Sequence, residues 1–532
     1  MTRTQNSVFN VAASLGVNLL TVVLNFVTRS VFISTLGVSF LGVEGYFSNI
    51  LTMLSMTELG FGTAIIFYLY KPIAENDFSR IRALMKLYKK IYRILGFIIV
   101  GLGLCLVPFL PLLVKDYDKF AQLGLNAVVI FLLYLFNSAS SYWFFAYKSS
   151  FVTANQKGYI LTVISYALRT CSSVTQILML VFTHNFVLYL LTIIFFSILT
   201  SLVYNYVCDR RYPYLKEKEE TSVSKAERKQ IFHDCYALML HRINGAVREA
   251  SDNIVLTAVC GLDAVGLYSN YLAIKLAIEN LLIVFTDSLN ASIGNLKTAE
   301  NDDWLRLIWR VLNFITFWLF GTAAIGTALL INDFITIWPA VGSDFVVTQW
   351  TGANGVVYMA PLALLIGIEI FFYGLARIVS AFRVSLGIFQ PLKYRPIASI
   401  LVNLAVSILT VPYWGMAGCV IGTIASILFT ELTVDPLIIH RYALKESAKG
   451  YYLRGFLYTL VTAAAGMSGW LLCRCIPLSG VAGFIVHGFV CVLTAWAIFG
   501  LCFFRTVEFR YVVSNLLRPG LKKFKSMIRK KA

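Results

Sequence analysis

Fourteen apolar stretches fill this chain, each near or above the roughly 20 residues that a helix rising about 1.5 Å per residue needs to cross the hydrocarbon of a bilayer. They run over 10–35, 43–70, 92–114, 122–147, 158–183, 184–208 and 236–260, then 264–294, 307–331, 356–384, 396–414, 416–440, 452–473 and 480–504. The expected fold class is therefore an all-α polytopic membrane protein with about 14 transmembrane helices.

The basic residues give an independent test of that count. With sides alternating from a cytoplasmic N-terminus, 36 of the 45 Lys and Arg fall on cytoplasmic connections, seven of them in 71–93 and nine in 505–532. Only Lys115, Lys119 and Arg474 fall on outer connections, and six more lie in or near the membrane. A wrong number of spans would scramble this alternation, so the positive-inside rule supports fourteen, with both termini cytoplasmic. The net charge of +18 then reflects topology, and nucleic acid is not an expected partner. Membrane lipids are, since Lys522, Lys523, Lys525, Arg529, Lys530 and Lys531 are free to lie against anionic headgroups. The first stretch is too long for a cleavable signal and reads as a signal anchor.

Several kinds of chemistry are excluded. Outer connections are short, and the longest, between Trp338 and Val357, has no Lys or Arg. There is no Gly-rich phosphate loop of the Walker type, and the five His are scattered, with no Ser/His/Asp or paired-carboxylate arrangement that stands out. The ten Cys sit mostly inside spans without metal-type spacing and read as small apolar residues. No catalytic residues, no metal and no cofactor are expected, which points to a transporter and not an enzyme.

An internal repeat organises the chain. Gly45-Tyr46-Phe47-Ser48-Asn49-Ile50-Leu51 opens the second span and Gly266-Leu267-Tyr268-Ser269-Asn270-Tyr271-Leu272 the eighth; both fit Gly-x-aromatic-Ser-Asn-x-Leu. The offset is six spans, an even number, so both copies share one orientation. Two pseudo-symmetric six-helix lobes follow, 1–208 and 236–441, joined by a charged cytoplasmic linker at 209–235. Two additional helices (442–504) and a basic cytoplasmic tail (505–532) complete the chain. Transporters with such parallel repeats place the substrate path between the halves. The alternative is that both segments merely share a good interfacial helix start.

Charges inside a membrane are expensive, about 2.5 to 3.5 kcal/mol at mid-bilayer on insertion scales, so they tend to face a partner or a watery cavity. Here they form stripes on single helix faces. Asn18, Asn25 and Arg29 share one, as do Arg169 and Gln176; Asn244, Arg248 and Asp252; Tyr271, Lys275 and Glu279; and Glu369, Tyr373 and Arg377. Two readings stay open. The charges line a cavity, or they neutralise one another locally: Arg248 with Asp252, Lys275 with Glu279, Glu58 with Arg29. Guanidinium groups hold phosphate oxygens bidentately, which favours an anionic headgroup as cargo.

The chain resembles the polysaccharide flippase family of the multidrug/oligosaccharidyl-lipid/polysaccharide exporter superfamily. The resemblance rests on Arg29 with Leu36-Gly37, Leu41-Gly42, Gly45-Tyr46 and Glu58-Leu59-Gly60-Phe61-Gly62, then on Arg248, Ser251-Asp252 and Val265-Gly266-Leu267-Tyr268. It continues through Arg383, Leu386-Gly387, Pro396, Asn403 and Gly415-Met416-Ala417-Gly418-Cys419-Val420-Ile421-Gly422-Thr423. It implies a flippase that carries an undecaprenyl-pyrophosphate-linked oligosaccharide across the bacterial cytoplasmic membrane by alternating access, for surface polysaccharide biosynthesis. Arg29, Arg169, Arg248, Lys275 and Arg377 would bind the substrate, and Glu58, Asp252, Glu279 and Glu369 would serve as counter-ions or as a coupling site. The lipid-linked sugar is then the main partner, with a polymerase and glycosyltransferases beside it; the coupling ion, proton or sodium, is not legible. The rival readings are a cation-coupled multidrug antiporter of the same superfamily and a non-transporting membrane component or enzyme of polysaccharide assembly.

Overall fold

The computed structural model describes residues 20–21, 23–54, 68–69, 72–73, 75–113, 119–143, 146–155, 158–217, 223–225, 227–229, 231, 250–296, 302–338, 346–352, 354–386, 388, 390–392 and 394–517. Nearly all of these are helical, as hydrocarbon demands: a helix satisfies its own N–H and C=O groups where no water can. Among the described residues nine helices are long and apolar enough to cross a membrane, and three shorter apolar ones accompany them. The protein is a multi-pass membrane protein. It divides into two compact units, Gly16–Asn270 and Tyr271–Ala532.

In the Gly16–Asn270 unit, α1 (Val23–Leu36) ends at Gly37, whose φ of 92° suits a residue without Cβ, and α2 (Val38–Leu54) starts at once. Helix α3 (Phe78–Leu106) begins well before the apolar stretch at 92. Asp77 caps it, its Oδ1 accepting from Arg80 N at 2.9 Å, and its first turns are amphipathic, with Ile81, Leu84, Met85 and Tyr88 buried. Hydropathy alone registers only its lipid-soluble part. After α4 (Ala127–Trp143) and α5 (Ala146–Ala154) come α6 (Gly158–Thr183) and α7 (Phe186–Arg211). These two are separated by a tight turn in which His184 takes φ 48° and Asn185 caps α7. The chain after α7 straps back onto its own unit: Tyr212 packs edge-on to Phe151, Tyr214 against Phe78, and Glu217 meets Arg82 at 2.8 Å. Lys148 binds Asp209 and Asn205 at the end of α7.

Helix α8 (Ala250–Cys260) stops at Gly261 (φ 88°), and α9 (Leu262–Leu296) runs on into the second unit. The starts of α2 and α9 meet backbone to backbone. A Cβ on Gly42 would collide with the carbonyl of Leu262, and one on Gly266 would stand 2.6 Å from the carbonyl of Val38. Ser39 Oγ donates to Asp263 Oδ1 at 2.8 Å across the same seam. Small residues permit this approach, as they do between membrane helices generally.

In the Tyr271–Ala532 unit, α10 (Asp302–Ile337) and α11 (Leu362–Ser385) form the centre, with 50% and 61% of their apolar windows buried. Between them a two-stranded antiparallel hairpin, β1 (Gln349–Thr351) and β2 (Val357–Met359), pairs Trp350 with Tyr358. Tyr271 ties the approach to this hairpin to the helices, its hydroxyl accepting from Val347 N and donating to Asn332 Oδ1, each at 3.0 Å. Helix α12 (Arg395–Trp414) folds onto α13 (Met416–Ser426), where Gly418 lies against the backbone of Thr410 and Val411. The run from Met416 continues helically to Leu444 through two π-helical segments, Ile427–Glu431 and His440–Leu444. Helices α14 (Lys449–Arg474) and α15 (Gly480–Phe503) then cover α10 through an aromatic cluster. In it Phe317 stacks on Tyr458 at 4.2 Å and touches the rings of Phe499 and Phe503. These two helices bury only 22% and 17% of their windows and keep their remaining face for lipid.

Candidate substrate-binding site

Arg29 leaves α1 toward the start of α9. Its Nη2 donates to Ser269 Oγ at 2.5 Å and its Nε to Asn270 Oδ1 at 3.0 Å. Both acceptors belong to the second copy of the repeated Gly-x-aromatic-Ser-Asn motif. The carboxylate that acts on Arg29 electrostatically is Glu44 of α2, and Tyr189 of α7 donates its hydroxyl to Glu44 Oε1 at 3.2 Å. Phe32 and Phe186 wall Tyr189 in, with Phe32 5.0 Å from its ring. Glu58, the partner expected from sequence, lies outside the described residues, as do Asn18, Asn244 and Arg248.

Arg169 is exposed on α6, and its position on the helix says to what. Ser165, Ser172, Ser173 and Gln176 share its face: Gln176 Nε2 donates to Ser172 Oγ at 2.8 Å, and the Ser165 hydroxyl pairs with that of Tyr204 on α7. The opposite face exposes Val163, Val174, Leu178 and Phe182, the residues that suit lipid. The Arg169 guanidinium therefore stands on the polar side of an apolar helix.

The Tyr271–Ala532 unit gathers three of the sequence candidates in one buried cluster. Lys275 of α9 binds Glu369 of α11 directly and lies 3.8 Å from Glu279 one turn along its own helix. All three are under a tenth exposed. The stronger pairing of Lys275 is with the neighbouring helix and not at i+4. Arg377, two turns beyond Glu369 on α11, is half-buried, and Asp252 is buried on α8.

Sequence reasoning passed over two groups. Glu44 and Tyr189 were hidden in apolar stretches, although a carboxylate inside a span was a signal available at position 44. By the positive-inside rule Arg383 and Arg395 fall among the basic residues of a cytoplasmic connection. In the structure Arg383 is buried 3.5 Å from Asp435, and Arg395 reaches Glu431 at 3.0 Å and Asp435 at 3.3 Å. The π-helical segment Ile427–Glu431 brings Glu431 into this four-residue ion cluster.

Comparison with known proteins settles the lineage. A sequence profile described as "Polysaccharide biosynthesis protein" matches residues 7–289, more than half of the chain. The chain belongs to that family. Among solved structures this family member is similar to the lipid II flippase MurJ in an inward closed conformation, at 11% identity over 92% of this chain and 98% of that one, with a TM-score of 0.64. It is also similar to an inward-facing multidrug resistance MATE family transporter of the MOP superfamily, at 14% identity, 80% and 95% coverage and a TM-score of 0.55. The Vibrio cholerae MATE transporter VcmN matches at 14% identity, 83% and 97% coverage and 0.54. At such identities the likeness concerns the fold alone. No curated protein sequence matches.

Proposed function

We propose that the protein is a flippase that moves an undecaprenyl-pyrophosphate-linked oligosaccharide across the cytoplasmic membrane of a bacterium, for surface polysaccharide biosynthesis. The observation that carries this is Arg169: an exposed guanidinium on the polar face of a membrane helix, in a chain of the polysaccharide biosynthesis family. A guanidinium so placed binds the oxygens of a diphosphate while the prenyl tail stays in lipid. Arg29, Arg248, Lys275 and Arg377 complete the proposed cargo set. Glu58, Asp252, Glu279 and Glu369 act as counter-ions or as a coupling-ion site; Glu44, which Tyr189 holds beside Arg29, joins them in this reading. Fourteen spans, cytoplasmic termini and two six-helix lobes that alternate access belong to the same reading, with a polymerase and glycosyltransferases as pathway partners.

The two buried carboxylates beside Lys275, Glu279 and Glu369, favour a second reading, in which a cation is coupling ion or cargo, as for a multidrug antiporter. One experiment separates the two. Cells lacking the protein, in a background without a second flippase, are assayed for lipid-linked sugar repeat held on the cytoplasmic side. The wild type should clear the accumulation, and Arg169→Ala at equal membrane level should not. Normal surface polymer in the deleted strain refutes the flippase and moves the antiporter to first place.

A further inference from the structure

A small cleft opens between α10, α11 and α14, and none of the charged residues assigned to the cargo site lines it. Its walls carry Trp309, Arg310 and Asn313 of α10 and Arg454, Tyr451 and Tyr458 of α14. The chemistry of this lining is unusual for a packing gap. Among the described residues no carboxylate forms an ion pair with Arg310 or Arg454; the acids whose charge is felt here are Glu508, at Tyr458, and Asp435, at Tyr451, the second of them already paired with Arg383 and Arg395. The Trp309 indole is fully buried, yet its N–H has no hydrogen-bond acceptor. Asn313 is 5% exposed; its Nδ2 is satisfied by the Trp309 carbonyl at 2.7 Å, and its Oδ1 has no donor. A buried donor or acceptor left unmade is costly, so such pairs in one cleft point to something that completes them.

We propose that this cleft binds the headgroup of an anionic glycerophospholipid. Arg310 and Arg454 take the phosphate oxygens, the Trp309 N–H donates to one of them, and a headgroup hydroxyl donates to Asn313 Oδ1. A phosphodiester carries no donor of its own, so the glycerol hydroxyl of the headgroup is what completes that last atom. The enclosed part of the cleft is no larger than a water molecule, so a phosphate edge enters and the remainder of the ligand stays outside. There α14 exposes Leu453, Phe456, Leu457 and Leu460, a row that begins beside Arg454 and runs along the helix as an acyl chain would. The aromatic ring of Tyr451 and the indole of Trp309 stand at the same level, where such side chains mark the boundary between headgroup and hydrocarbon. The bound lipid bridges α10 and α14, and so fastens the C-terminal helix pair to the centre of its unit.

The test uses the full chain in nanodiscs of phosphatidylcholine, with and without phosphatidylglycerol, read by thermal unfolding and by native mass spectrometry of retained lipid. Phosphatidylglycerol should raise the unfolding temperature and remain bound. Arg310→Gln and Arg454→Gln should each weaken its retention about tenfold, as expected when one charge-assisted hydrogen-bonding partner is lost. Trp309→Phe keeps the ring, removes only the N–H, and should weaken retention by a smaller factor; it carries the test if either Arg variant fails to fold. Equal stabilisation by pure phosphatidylcholine overturns the proposal, as does retention unchanged in all three variants. Inorganic phosphate reproducing the full shift overturns the lipid in favour of a free anion.

Discussion

Replacing Lys275 with Met is the sharpest probe of how charge is held inside the Tyr271–Ala532 unit. The ammonium sits between Glu369, which it binds directly, and Glu279 at 3.8 Å, and the side chains of all three are almost closed to solvent, at 11%, 3% and 7% exposed. Met fills a similar volume and removes only the charge, leaving the buried Glu369 without its closest cation. Breaking a buried pair by deleting one partner costs about 3–5 kcal/mol, and Lys275→Met should fall in that range. The carboxylates differ in what their removal does. Glu279→Gln leaves the Lys275–Glu369 pair intact, and its cost should stay within about 1 kcal/mol, the size of a long or partly screened ion pair. Glu369→Gln strips the closer partner but leaves Glu279 to the lysine, and should fall between the two. Thermal unfolding of the three purified variants in one detergent gives the order directly. If Lys275→Met melts with the wild type, or Glu279→Gln costs as much as it does, the cluster is not a lysine-centred ion pair and its surroundings must be far wetter than the burial implies.

Three further outcomes follow from packing. A Cβ on Gly418 would lie 2.6 Å from Val411 N, a backbone atom that cannot swing away, so Gly418→Ala should cost about 1–3 kcal/mol; a Cβ on Gly500 meets nothing within 4 Å, and Gly500→Ala should stabilise by about 0.5–1 kcal/mol. Equal melting shifts in the two variants would refute the packing account. Phe317→Ala removes the ring stacked on Tyr458 and should cost about 3–5 kcal/mol, together with faster proteolysis of the connection between α14 and α15. Asn185 Oδ1 accepts from Val187 N at 2.8 Å and from Leu188 N at 3.2 Å, so Asn185→Ala should cost about 1 kcal/mol, detectable as an earlier melt with transport retained.

Much of this architecture is legible in the amino-acid sequence because lipid is an undemanding reader: it asks only whether a helix is apolar for long enough. The turn at His184 and Asn185 falls where the stretches 158–183 and 184–208 meet. Two things escape that criterion. The first is helix where the chain is not lipid-soluble, as in the opening turns of α3, whose apolar residues alternate with lysines and arginines and need the unit's own surface to pack on. The second is the identity of ionic partners. Helical spacing pairs Lys275 with Glu279, yet Glu369 is closer, because two helices in contact bring side chains nearer than one turn of a single helix does. Arg29 is found by its cost in the membrane, whereas Ser269 and Asn270, which hold it, lie some 240 positions away and are recognisable only as an echo of Ser48 and Asn49.

The seam at Gly42 and Gly266 has a mechanical consequence. Most closures in proteins are made by side chains, which swing between rotamers one at a time and so allow a graded leak. Here each helix rests its main chain on the main chain of the other, with no Cβ between them. Nothing at this contact can rotate out of the way. Whole helices must part for it to open, and interfaces of that kind have two positions and little between them. A contact made in this way yields to the displacement of a whole helix and not to the motion of any one side chain.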